Sequence, residues 1–125
     1  MNALGLHPRV FDGSGLSRAD HTTPRQVVRL LGRMHALPLA PVFEASLPVA
    51  GHTGTLATRM RRTAADGRCD AKTGSEIGVS GLAGICSAAG GHTIAFAFLM
   101  NGIGVDGARR LQDRMTAAIA RYSGG

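Results

Sequence analysis

The sequence predicts an α/β fold of the α+β kind, in which three antiparallel strands pack against an N-terminal and a C-terminal helix. Three observations carry that expectation. Two apolar runs, "VSGLAGICSA" and "HTIAFAFLMN", are separated by "AGGH", whose paired glycines suit a hairpin connection. A helix with clear start signals, "TTPRQVVRLLGRM", precedes them, and an amphipathic one, "DGARRLQDRMTAAIARY", follows. The 125 residues are expected to form a single domain spanning residues 1–125. A domain of that size buries roughly two-thirds of its unfolded surface. With one Tyr and no Trp, its core has to be built from aliphatic side chains, so it is thin or is half of a larger one.

The elements follow in order. Residues 1–21 are Gly-rich and aperiodic, and "FDGSGLSRAD" carries the punctuation of a turn-rich loop. The first helix is expected from about Pro24 to His35. Thr23 is its N-cap, Pro24 stands at the first helical position, Gln26 completes a T-x-x-Q capping box, and Val27, Leu30, Leu31 and Met34 share a face. Prolines and glycines break residues 36–54, leaving one short helical turn around Val42 to Leu47. "GTLATRMRR" reads as a short helix that ends before a turn at Asp66-Gly67. Strands are expected at 68–75, 79–88 and 92–101. In the last helix Asp106 is the expected N-cap, and Leu111, Met115, Ala118, Ile119 and Tyr122 form the stripe expected to lie on the sheet.

A turn centred between Ile77 and Gly78 fixes the register of the first two strands. Positions whose numbers sum to 155 then face each other, setting Ser75 opposite Ser80, Thr73 opposite Leu82 and Cys69 opposite Cys86. Directly opposed residues of an antiparallel pair have Cα atoms roughly 4.5 to 5.5 Å apart, a span that a disulfide bridges. The register therefore predicts a Cys69–Cys86 disulfide if the protein is exported. In a reducing compartment the two cysteines are small buried hydrophobes.

The net charge of +6 and pI near 11 raise nucleic acid as a partner, but the thirteen arginines are scattered and one Tyr offers almost nothing for bases to stack on. The expectation is no nucleic acid. The longest apolar run, "TIAFAFLM", is too short to cross a bilayer, and the N-terminus shows no basic segment followed by an apolar one. As written, the chain has no membrane span and no export address, which expects a cytoplasmic product. The five histidines are dispersed, and no metal or other cofactor is expected.

The chemistry-bearing stretch is Lys72-Thr73-Gly74-Ser75, which contains the chain's only lysine. Alternation along a strand puts Lys72 and Gly74 on one face and Thr73 and Ser75 on the other, while twist at an edge can aim them into one cleft. There a lysine compensates an anionic ligand, two hydroxyls bind a carboxylate, and a glycine lets a ligand approach the backbone. The spacing is not that of a P-loop, since Ala71 precedes the Lys-Thr pair, and no C-x-x-C, H-E-x-x-H or G-x-S-x-G occurs.

Three blocks in order, "DGSGLSR", then "AKTGS-x-x-GVSGLAG" about fifty residues on, then "FAFLMNG", resemble the C-terminal end of the serine D-alanyl-D-alanine carboxypeptidase/endopeptidases, the low-molecular-mass class C penicillin-binding proteins. The likeness runs from about Phe11 to Tyr122. It implies an antiparallel sheet built from both chain ends and flanked by helices, with this chain supplying its last three strands. It also implies an extracytoplasmic protein, periplasmic or in the cell wall. By resemblance Lys72 belongs to the electrostatic network around a catalytic serine. The Thr73 and Ser75 hydroxyls hold the carboxylate of a terminal D-Ala or of a β-lactam, and the Ser75 N–H is an oxyanion donor. The "DGSGLSR" loop is implied to shape the surroundings of the site.

Such enzymes combine S-x-x-K, S-x-N and K-T-G. S-x-x-K is absent here, because Lys72 is the only lysine and position 69 is Cys69. S-x-N is absent too, because Asn2 has no residue two before it and Asn101 has Leu99 there. The chain is therefore expected to be the C-terminal part of such an enzyme, from a truncated, split or frameshifted gene or a mis-assigned start codon, and inactive alone. A non-catalytic remnant or binding module is the alternative, and a basic nucleic-acid binder the third. An uncovered sheet surface is expected to favour self-association.

Overall fold

The computed structural model describes residues 2–124. Its elements are a 3-10 turn at Asn2–Leu4, helix α1 (Pro24–His35), helix α2 (Ala40–Ala45), a 3-10 turn at Gly54–Leu56, strands β1 (Cys69–Glu76), β2 (Val79–Ser87) and β3 (Thr93–Asn101), and helix α3 (Val105–Ala120). The strands form one antiparallel sheet in the order β1-β2-β3. Helix α3 packs on one face, and α1 lies on the other, chiefly against β3. Mixed α/β architecture with three antiparallel strands is thus the fold, as the sequence predicts.

Local chemistry explains the first helix. Thr23 has extended backbone, and its hydroxyl accepts from the Gln26 N–H at 3.2 Å, while Pro24 fills the first turn, where a missing N–H costs nothing. The Gln26 side chain turns to Thr22, whose hydroxyl donates to Oε1 at 3.2 Å. The short helix spans Ala40–Ala45, slightly ahead of the expected Val42 to Leu47.

The sheet register is the expected one: Cys69 faces Cys86, Thr73 faces Leu82 and Ser75 faces Ser80, with Gly78 at φ 75° in the turn. Cys69 and Cys86 are joined by a disulfide across a Cα separation of 4.1 Å. Around it lies the core, made of Ala50, Leu56, Met60, Ala65, Ala71, Leu82, Phe96 and Ala120. Gly84, paired with Ala71, is required by closeness, since a Cβ there would lie 2.6 Å from the Ala71 Cα.

Three expectations are corrected. "GTLATRMRR" is no helix beyond the turn Gly54–Leu56, because Met60 and Arg62 both sit at φ 60°, which an α-helix cannot contain. The loop is instead closed by Asp66, whose carboxylate accepts from the Arg62 N–H at 2.8 Å. Helix α3 is capped by Gly104, with Asp106 one turn-position inside, where its charge favours the positive helix end. The face that α3 buries is Ala108, Gln112, Thr116, Ala117 and Ala120, while Leu111 and Tyr122 are exposed and Met115 and Ile119 only half-buried.

Two polar side chains on that face explain the rotation. The Gln112 Nε2 donates to the Ser80 Oγ at 3.0 Å, and its Oε1 accepts from the Arg59 guanidinium at 3.2 Å. The Thr116 hydroxyl donates to the Gln112 carbonyl at 2.7 Å. Arg59 also forms an ion pair with Asp113 at 2.7 Å. Among the described residues no buried side-chain nitrogen or oxygen lacks a partner, and the loop before β1 is pinned to α3.

Candidate functional site

The candidate site is the outer edge of β1, and hydrogen-bond parity defines it. The Ala50 N–H donates to the Cys69 carbonyl at 2.9 Å, and the Ala71 N–H donates to the Pro48 carbonyl at 2.9 Å. Cys69 and Ala71 thus turn their backbone groups away from β2. In an antiparallel ladder this outward set recurs at every second residue, so Thr73 and Ser75 turn theirs outward as well. The segment 48–50 covers the edge only as far as Ala71. Beyond it no main-chain partner among the described residues meets the Thr73 and Ser75 N–H groups.

Side chains add to this edge from both faces. Thr73 is half-buried on the α3 face, where its hydroxyl lies 2.9 Å from the Thr55 hydroxyl, and Ser75 is exposed on the same face. Lys72 is exposed on the opposite face, but its ammonium bends round to donate to the outward Thr73 carbonyl at 2.9 Å. A cation, up to three hydroxyls and two outward N–H donors are thereby gathered along four residues and one neighbouring turn. Gly74 is exposed, with open space where a Cβ would stand, so it leaves the strand accessible.

Thr55 is the residue that sequence reasoning missed. It lies 18 positions before Thr73, and nothing in its local sequence marks the contact. The "DGSGLSR" loop reaches the far end of the strand: the Arg18 guanidinium donates to the Ile77 carbonyl at 3.0 Å in the β1–β2 turn. Within that loop Asp12 accepts from the Ser14 hydroxyl and N–H, which hold its carboxyl below the ordinary value. At the other end of β1, Asp70 is pushed above the ordinary value by burial and, secondarily, by the Glu44 charge.

This arrangement suits binding an anion and donating to an oxygen. Activating a nucleophile is another matter, since no serine or threonine hydroxyl among the described residues is hydrogen-bonded to a lysine or histidine. No group of three or more His, Cys, Asp or Glu side chains among the described residues could hold a metal ion. No helix among them is long and apolar enough to cross a membrane.

The sequence profile of the D-Ala-D-Ala carboxypeptidase 3 (S13) family matches residues 7–122. A D-alanyl-D-alanine carboxypeptidase of Actinomadura sp. (strain R39) is 44% identical over 118 residues, which are 90% of this chain and 22% of that protein. A carboxypeptidase of Mycolicibacterium smegmatis is 36% identical over 118 residues, 89% of this chain and 25% of that protein. Penicillin-binding protein 4 of Haemophilus influenzae, solved in complex with a β-lactam, superposes with a TM-score of 0.82 at 26% identity, over 97% of this chain and 31% of that one. The chain thus spans about a quarter of the curated relatives it matches. With the profile matched across nearly its whole length and the fold shared with a β-lactam-binding relative, the chain belongs to the D-Ala-D-Ala carboxypeptidase 3 (S13) family.

Proposed function

We propose that this chain supplies the K-T-G strand of a serine-type D-Ala-D-Ala carboxypeptidase and that it is inactive by itself. Peptidoglycan peptides ending in D-Ala-D-Ala, or β-lactams, are the ligands, and the site of action is extracytoplasmic. The carrying observation is the open edge of β1, where the Lys72 ammonium lies against the outward Thr73 carbonyl and the Thr73 and Ser75 N–H groups face outward without a main-chain partner among the described residues. A substrate backbone laid along that edge places its terminal carboxylate among the Thr73, Ser75 and Thr55 hydroxyls. The Ser75 N–H then serves as one donor to the oxyanion, a contact whose loss costs about 3 to 4 kcal/mol of transition-state stabilisation.

No S-x-x-K or S-x-N occurs in the chain, so the acyl-accepting serine and its base have to come from another segment. The same count supports the second reading, a non-catalytic module that still holds the peptide terminus. Coding sequence for both motifs directly upstream, or in a companion chain, separates the two.

The test of the strand's role is an amide NMR titration of the chain with a peptide ending in D-Ala-D-Ala. Shifts should centre on Thr73, Gly74 and Ser75 and weaken in Thr73→Val. Shifts confined to other residues would overturn the assignment. Intact mass after incubation with penicillin should be unchanged, and a covalent adduct would refute the proposed inactivity.

A further inference from the structure

The meeting of Thr55 with Thr73 depends only on contacts made within the chain. The two hydroxyl oxygens lie 2.9 Å apart, and neither has a second protein partner among the described residues. Thr55 sits in the turn Gly54–Leu56, which is fastened on both sides. Before it, the Thr53 hydroxyl accepts from the Val49 N–H at 2.8 Å. After it, Leu56 is fully buried in the core, and its carbonyl accepts from the Gly51 N–H at 3.0 Å. Thr73 in turn is held in β1 opposite Leu82. The fold fixes both backbones, so the hydroxyls meet whether or not a ligand is present.

Counting protons gives the pair a direction. A threonine hydroxyl has one proton to donate and two lone pairs that accept, whereas a carboxylate only accepts. The bond between the two hydroxyls uses one of their two protons and leaves one free. Were Thr73 the donor, it would meet a ligand carboxylate with lone pairs alone, oxygen against oxygen. With Thr55 as the donor, the Thr73 proton is left for the ligand. We propose that Thr55 is a positioning residue for Thr73: it donates to the Thr73 oxygen and so commits the Thr73 proton to the terminal carboxylate of the bound peptide. This rests on the reading of β1 as the K-T-G strand and adds to it a residue 18 positions away. A hydroxyl that accepts one hydrogen bond gives a stronger one, and the bond to a carboxylate is already charge-assisted. Valine at position 55 keeps the shape of the side chain and removes the donor; serine keeps the donor. Thr55 is exposed, so neither change disturbs the core.

The test has two arms, both on the 125-residue chain. In the first, without ligand, three-bond NMR couplings report the χ1 rotamer of Thr73. They should show one rotamer in the parent and in Thr55→Ser, and averaging in Thr55→Val. Equal couplings in all three proteins overturn the proposal whether or not a peptide binds. In the second arm a peptide ending in D-Ala-D-Ala is titrated. Thr55→Val should weaken its binding about five-fold, the worth of one ordinary hydrogen bond, and Thr55→Ser should restore it. In a Thr73→Val background, Thr55→Val should weaken binding no further, because its route to the carboxylate is gone. Additive losses would show that Thr55 touches the carboxylate directly and would overturn the relay. A parent chain that binds no peptide refutes the role given to the strand, and the couplings then decide alone whether Thr55 orients Thr73.

Discussion

Substituting Gly84 tests whether the two central strands are held as closely as the structure shows. An alanine Cβ at this position would run most closely into the Asp70 carbonyl oxygen and would stand 2.6 Å from both the Cα and the Cβ of Ala71. Ordinary carbon contacts lie near 3.5 to 4.0 Å, so β1 and β2 would have to part by about 1 Å. That displacement falls between the disulfide at Cys69 and the candidate site at Lys72, and the bridge resists it. Overpacking against main chain of this severity costs about 3 kcal/mol. In a chain of this size that corresponds to a fall of about 12 °C in Tm. Thermal unfolding followed by far-UV circular dichroism measures it, with Gly81→Ala as a comparison, since the nearest atom to a Cβ at Gly81 is 3.4 Å away in the Leu99 side chain. A Gly84→Ala protein melting within about 2 °C of the parent would refute the argument, because the strands would then be shown to separate freely at this pair.

Two further outcomes follow from the site's surroundings. The Cys69–Cys86 bridge closes a loop with a sequence separation of 17, for which the chain-entropy relation gives about 3 kcal/mol, so Cys69→Ala/Cys86→Ala should lose about that much in urea titration. Equal midpoints with and without the bridge would remove it from the account. Asp70 titrates above its ordinary 3.8, first through burial and then through the Glu44 charge, so the fold disfavours its charged form. The sign follows: this contribution is favourable below the ordinary value and is lost as pH rises through the elevated one. Asp70→Asn should therefore raise stability at pH 7 by less than about 1 kcal/mol after solvent screening, with no gain at pH 3. A gain of equal size at both pH values would show that charge is not the cause.

What could be read from the sequence was whatever is written in consecutive residues. Helix α1 begins where Thr23, Pro24 and Gln26 place it, because those signals act within one turn. The β1–β2 register could be counted out because a two-residue turn at Ile77 and Gly78 leaves one alignment of the flanking residues. The loop from Ala57 to Gly67 could not be read. The helix expected for "GTLATRMRR" is overridden there by an Asp66 carboxylate that accepts from the Arg62 N–H and a His52 imidazole bonded at 2.8 Å to the same side chain. Those contacts also hold Asp66 below the ordinary carboxylate value. Thr55 stayed hidden for a similar reason, since its meeting with Thr73 depends on how that loop closes.

Helix α3 shows why apolar periodicity alone misplaced a face. The stripe through Leu111 and Met115 has the larger apolar area, yet the helix turns Gln112 and Thr116 inward. Exposing a few aliphatic groups forfeits part of their transfer free energy, roughly 25 cal/mol per Å². Rotating the helix the other way would strand Ser80 on β2 beneath apolar carbon, a buried hydroxyl without a partner, and would release Arg59 from both Gln112 and Asp113. An unpaired buried hydroxyl and a freed, largely buried guanidinium together outweigh the exposed apolar area. The rotation also has a consequence beyond α3. Arg59 belongs to the loop that carries Thr55, so the hydrogen bonds that select the helix face also fix that loop against β1 and set the Thr55 hydroxyl beside Thr73. The side of the candidate site that faces α3 is thus positioned by a polar cluster buried on the far side of the same loop.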